Sequence, residues 1–262
     1  MRAVDFSFSA TQVTEDWARH RLDEGVELFI GNLYTGSASI FGMENALREC
    51  ANAGGVIAGY FNVHPTRSAE YCLEKAKASA GSMWDELNFI AIDVEIAGIQ
   101  QEKIVKAIEL LADKKCIVYT SKSKWDNEGY TDLHDLAPLW TAHYYSGKVG
   151  WDTYSEEEIL TNTWAYGGWG WGSGLVARQF ENDTVIEGVT VDLSIFYRNW
   201  VTGEPTMPEP EKPVESEKPV EKKLNAEDTN ALREYKNAVG RETLTVEDLQ
   251  IAVSSDWKAR LV

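Results

Sequence analysis

Phe89-Ile90-Ala91-Ile92-Asp93-Val94-Glu95 runs four apolar residues straight into two carboxylates separated by one valine. A strand covered on both faces reads as continuous apolar sequence, so this stretch predicts a buried strand that ends in acids. Side chains alternate along a strand, which places Asp93 and Glu95 on one side and Val94 on the other. Two carboxylates on one side of a strand end are costly unless something uses them. A strand followed by a solvated acidic turn is the bland alternative, and the stretch alone does not choose.

Outward from it, short apolar runs alternate with amphipathic ones. Residues 3–8, 28–33, 56–63, 89–94 and 116–120 read as strands, and 14–24, 42–52, 68–80 and 101–114 as helices. Thr14 is placed to cap the first helix, and Ala53-Gly54-Gly55 stops the second. This alternation with short connections is the signature of a parallel sheet with right-handed crossovers. After residue 120 the rhythm changes: 138–144, 176–180 and 189–196 read as strands joined by loops and hairpins. No glycine-rich phosphate loop opens a helix, so a doubly wound nucleotide-binding sheet has no support. The expected fold is α/β, a TIM-like barrel of the form (β/α)5β3 with an irregular last third, over residues 1–203.

Five of the seven prolines fall within residues 204–223, where Glu-Lys-Pro-Val-Glu occurs at Glu211 and again at Glu217. Such a segment has little to bury and predicts an extended linker. Residues 224–262 regain periodicity, with Ala231, Leu232, Tyr235 and Val239 on one predicted helix and Leu249, Val253, Trp257 and Leu261 on another. Two short helices rarely hold a core alone, so this unit is expected to self-associate, dock on the barrel or target a wall or virion component.

The formal net charge of -17 argues against nucleic acid or an anionic membrane surface as a partner. No stretch reaches the ~18 apolar residues of a membrane span, and the N-terminus carries no signal core, so synthesis in the cytoplasm and action after release are expected. Cys50, Cys72 and Cys116 are odd in number and lack metal-ligand spacing, which predicts free thiols. His20, His64, His134 and His143 form no metal pattern either, and neither metal nor cofactor is expected.

In a barrel of this kind reactive groups collect at the C-terminal ends of the strands. Asp5, Asp93, Glu95 and Asp192 all fall at one rim, and closure makes the first and last strands neighbours. Cleaving a glycoside needs one carboxyl held protonated and a second held anionic. Four clustered acids raise at least one of themselves by repulsion, though spacing does not say which. Tyr60, Tyr119, Trp140 and Tyr144 stand at strand ends beside the acids, where rings stack on sugars. The segment Trp-Ala-Tyr-Gly-Gly-Trp-Gly-Trp-Gly, residues 164–172, predicts an exposed aromatic wall for glycan, with packing on the C-terminal helices as the competing account.

Six tags in order carry a resemblance: Val-Asp-Phe-Ser from Val4, Gly-Tyr-Phe from Gly59, Ile-Asp-Val-Glu from Ile92, Val-Tyr-Thr from Val118, Leu-Trp-Thr-Ala-His-Tyr from Leu139 and Val-Asp-Leu-Ser-Ile-Phe from Val191. Together the set resembles glycoside hydrolase family 25, the muramidase-type lysozymes found among bacterial and phage lysins. That resemblance implies cleavage of the β-1,4 bond between N-acetylmuramic acid and N-acetylglucosamine in peptidoglycan. It implies Glu95 as general acid, Asp93 as anionic partner, and Asp5 and Asp192 as the other rim carboxylates. Gln179 matches the glutamine of the family's seventh strand and joins the four aromatics as a substrate-binding candidate; Arg178 stands where the family often has an aromatic. A phage endolysin fits the modular layout. The alternatives are a catalytically inactive glycan-binding or virion module on the same barrel, and a metal-dependent barrel enzyme, against which the lack of a basic phosphate-binding cluster speaks.

Overall fold

The computed structural model describes residues 1–131, 133–145, 147–151, 155–161 and 174–203. The aromatic segment 164–172, the expected linker 204–223 and the expected helical unit 224–262 lie outside the described residues.

Eight strands close into one barrel in chain order. They are β1 (Arg2–Phe6), β2 (Val26–Tyr34), β3 (Val56–Asn62), β4 (Ile90–Asp93), β5 (Cys116–Thr120), β6 (Leu139–Ala142), β7 (Leu175–Ile186) and β8 (Val189–Phe196). The helices are α1 (Glu15–Asp23), α2 (Met43–Ala53), α3 (Ala69–Ala80), α4 (Gln101–Leu110), α5 (Lys122–Asn127), α6 (Glu156–Thr161) and α7 (Arg198–Thr202). Pairing is parallel from β1 through β7, while β8 runs antiparallel to both β7 and β1. The expected barrel is present, and its last strands are irregular as the changed rhythm predicted. Two short helices, α5 and α6, were not visible as periodicity because six residues are under two turns.

Local chemistry sets the helix ends. Thr14, Ser68 and Ser121 each accept the N–H three residues on, capping α1, α3 and α5. Gly54, with φ of 101°, ends α2 in the left-handed conformation that glycine adopts without strain.

The core has two layers, as alternation demands. One lies inside the barrel and includes Ala3, Leu28, Ile30, Ala58, Phe89, Ala91, Ile117, Trp140, Ala177 and Phe196. The other lies between strands and helices and includes Val4, Phe29, Phe61, Ile90, Ile92, Val94, Val118, Ile104 and Leu47. Gly31 lets α2 approach β2, since a Cβ there would sit 2.4 Å from the Met43 sulfur. Cys50 and Cys72 are free and buried, and Cys116 is free and half-buried. Among the described residues no helix is long and apolar enough to cross a membrane.

Candidate active site

Strand register gathers the predicted acids. Asp5 and Asp192 face each other directly across the antiparallel β1–β8 ladder. On the far side of the mouth Asp93 stands between Asn62 of β3 and Tyr119 of β5. Strand β4 stops at Asp93, but the chain is pinned one residue further. Val94 donates its N–H to the Tyr119 carbonyl at 2.9 Å, and its carbonyl accepts from Thr120 Oγ1 at 2.8 Å. Val94 is therefore buried outward, and Asp93 and Glu95 both reach the cavity, as alternation predicted.

Asp5, Asp93, Glu95 and Asp192 line one cavity of about 210 Å³ together with Tyr60, Tyr119, Trp140, Tyr144 and Gln179. The four acids, the four aromatics at strand ends and Gln179 thus meet at one mouth, while the expected aromatic wall at 164–172 lies outside the described residues. Their depths differ. Trp140 is 1% exposed; its indole packs on Tyr119 and Phe196 and donates to Ser194 Oγ at 3.2 Å. It is the floor of the cavity, with little face left to stack on a sugar. Tyr144, 41% exposed, is the most open of the four aromatics.

Gln179 organises the floor. Its Oε1 accepts from the hydroxyls of Tyr119 and Tyr144, both at 2.7 Å. Its Nε2 donates to Asp5 Oδ2 at 2.9 Å and to Asp192 Oδ2 at 3.3 Å. One amide therefore joins the two tyrosines to the two acids of β1 and β8, its oxygen turned to the phenol hydroxyls and its NH2 to the carboxyl oxygens. Arg178, one residue earlier, points the other way: its Nε donates to the His143 carbonyl at 2.9 Å, and its guanidinium lies 4.3 Å from the Tyr145 ring centre. It holds the segment that carries Tyr144.

Burial is the first cause of every carboxyl shift here. It raises Asp93 well above the usual range, reinforced by the charge of Glu95, while the Asn62 side chain and the Glu95 N–H act against it. Asp5 is likewise raised well above, with Asp192 adding repulsion and the Gln179 amide opposing. Asp192 rises to about 6 despite the N–H of Asp183, which reaches its Oδ1 at 2.7 Å. Glu95 is raised by burial, and Lys124 of α5 moderates the rise. Carboxyls whose hold on a proton is strengthened by burial are suited to acid–base work.

The sequence reading missed Asn182 and Asp183, which also line the cavity. They lie just past the apolar run at 176–180, where a bulge breaks the alternation and hid the continuation of β7. Among the described residues no group of three or more His, Cys, Asp or Glu is arranged to hold a metal ion.

No protein-family model matches the sequence, and no curated protein sequence matches it. Solved structures do match. A family 25 glycosyl hydrolase from Bacillus anthracis superposes with a TM-score of 0.54 at 16% identity, covering 75% of this chain and 88% of that one. A muramidase from Acremonium alcalophilum gives 0.54 at 18%, covering 78% and 100%. The fold is that of the family 25 glycoside hydrolases. A further neighbour is the modular autolysin LytC from Streptococcus pneumoniae, solved in complex with a synthetic peptidoglycan ligand, at a TM-score of 0.50 and 17% identity over 75% of this chain and 46% of that one.

Proposed function

We propose that this chain is a peptidoglycan hydrolase that cleaves the β-1,4 bond between N-acetylmuramic acid and N-acetylglucosamine. The observation that carries the reading is the convergence of Asp5, Asp93, Glu95 and Asp192 on one buried mouth within a family 25 fold. Repulsion within the Asp93–Glu95 pair favours a single shared proton. Glu95 is the more open of the two and delivers that proton to the leaving oxygen, because a donor has to reach the bond. Asp93, walled in behind it, is then the anion facing positive charge at the anomeric carbon. Asp5 and Asp192, tied by Gln179, supply the remaining negative field. The Tyr144 hydroxyl stands where a 2-acetamido group could be oriented, consistent with a retaining, substrate-assisted course.

The layout expected from the sequence, a barrel followed by a proline-rich segment at 204–223 and a periodic segment at 224–262, supports a lytic enzyme of the phage endolysin type, with the last segment as a self-association or targeting unit. The deciding experiment digests purified peptidoglycan with the wild-type chain and with Glu95→Gln, and identifies the new reducing ends. Muramic-acid ends from wild type, with a rate at least about a hundredfold lower in the variant, are expected. Absence of those ends, or a fully active variant, rejects the assignment.

A further inference from the structure

Beside the acids, the loop after β1 and the β7–β8 hairpin border a second lobe whose outer residues the proposed chemistry does not use. Register shifts bend β7 between Gln179 and Glu181 and again between Glu181 and Thr184, and Asp183 between them adopts φ of 50°. The bend leans the β7–β8 hairpin over α1. There Trp17 Nε1 donates to the Ile186 carbonyl at 3.0 Å, and Glu187 meets His20 at 3.3 Å and Arg21 at 3.4 Å. At the base of the hairpin Ser9 Oγ donates to the Thr190 carbonyl at 2.8 Å, tying the loop after β1 to β8. Between loop and hairpin lies a cavity of about 260 Å³ that shares Asp5, Tyr60, Asp183 and Asp192 with the acid-lined one. Phe8 forms part of its wall and is 82% exposed, an apolar ring left in solvent at the edge of a polar cleft.

We propose that this lobe is a subsite for an uncharged N-acetylhexosamine ring of the glycan strand, with Phe8 as its stacking platform; the proposal rests on the muramidase reading above. Three observations select the occupant. The lobe adjoins the acid-lined cavity and shares Asp5, Tyr60, Asp183 and Asp192 with it, so a polymer held across the acids passes beside it. The exposed face of Phe8 suits the apolar face of a pyranose ring, and Ser7, whose Oγ accepts from Asn32 at 3.2 Å, keeps its own O–H to donate. Finally, the lining includes Asp5, Asp183 and Asp192 but no Lys or Arg among the described residues. A lactyl carboxylate or an anionic stem peptide would meet like charge there, whereas the neutral sugar of the alternating strand would not.

Chitotetraose, an uncharged oligomer of N-acetylglucosamine, is the probe. It is titrated into the full chain carrying Glu95→Gln, alone or combined with Phe8→Ala or Phe8→Trp. Phe8→Ala is expected to weaken binding about tenfold and Phe8→Trp to retain it, since stacking needs only an aromatic face. The exposed ring supports no core, so neither change should shift the thermal unfolding midpoint. With Glu95 intact, Phe8→Ala is expected to raise KM for peptidoglycan fragments more than it lowers kcat. Asp183→Asn keeps the N–H to Asp192 and tolerates the left-handed backbone, and should narrow the preference for chitotetraose over a muramic-acid-containing tetrasaccharide. Failure of chitotetraose to bind, or equal affinity with and without Phe8, overturns the subsite whatever happens to peptidoglycan. Phe8-dependent binding by a chain that releases no muramic-acid ends keeps the subsite and overturns the reaction.

Discussion

At the scale of single residues, Asp93 shows what the site costs the fold. It is 4% exposed, and its Oδ1 is buried with no hydrogen-bond partner among the described residues. Burial raises its carboxyl well above the ordinary value of 3.8 in the folded chain. An acid raised in this way favours the unfolded state as pH climbs from the ordinary range toward the folded value, since the unfolded chain ionises first. Asp5 and Asp192 act in the same direction, the latter up to about 6. Removing one such charge should therefore stabilise the barrel while harming turnover. Asp93→Asn is expected to raise the thermal midpoint at pH 7 by about 3 °C, with the gain shrinking toward pH 4, and to cut peptidoglycan cleavage about a hundredfold. Calorimetry at the two pH values, beside a cleavage assay, checks both halves; a lower midpoint at pH 7 would count against burial as the dominant cause.

At the scale of elements, β7 positions more of the mouth than any other strand. Gln179 joins acids to tyrosines, Arg178 holds the His143–Tyr145 segment, and Glu181 accepts the N–H groups of Val149 at 2.7 Å and Gly150 at 2.8 Å. Those bonds, with Thr184, outweigh the desolvation of Glu181 and hold its carboxyl below the usual range. Its contribution is thus present above about pH 4.5 and is lost on acidification through the lowered value. Glu181→Ala should leave two N–H groups unsatisfied and destabilise the barrel by about 2 kcal/mol. Chemical denaturation at pH 7 measures that loss, and a change under 0.5 kcal/mol, roughly the scale of ordinary surface substitutions, would show the clamp to be dispensable. The sequence showed β7 as a short apolar run at 176–180. Its true length, Leu175–Ile186, was hidden because the bulge around Asn182 and Asp183 breaks the alternation on which strand reading depends.

At the scale of the whole molecule, closure is what turns eight short strands into a site. Every strand has two neighbours, so the ladder from β1 round to β8 has no free edge, and all of it lies before residue 204. A chain ending at residue 203 is accordingly expected to unfold in one cooperative transition and to release reducing ends from soluble peptidoglycan fragments at a rate within about threefold of the full chain. Loss of cooperative unfolding in that truncation would show that the barrel needs the tail for stability. Sedimentation of the two lengths reports separately whether residues 224–262 bring chains together.

The sequence by itself determined the alternating elements, the strand ends at which Asp5, Asp93 and Asp192 stand, and the placement of Glu95 beside Asp93. These follow from periodicity of two and of 3.6 residues, which is a local property of the chain. Only the tertiary structure decided what those residues do to one another. Gln179 is far in sequence from Asp5 and Tyr119, and Trp140 sits on the floor because closure stacks it on Phe196. Such long-range register, and the burial that lifts the four carboxyls, exist only once β8 has paired with β1, so no local pattern could have revealed them.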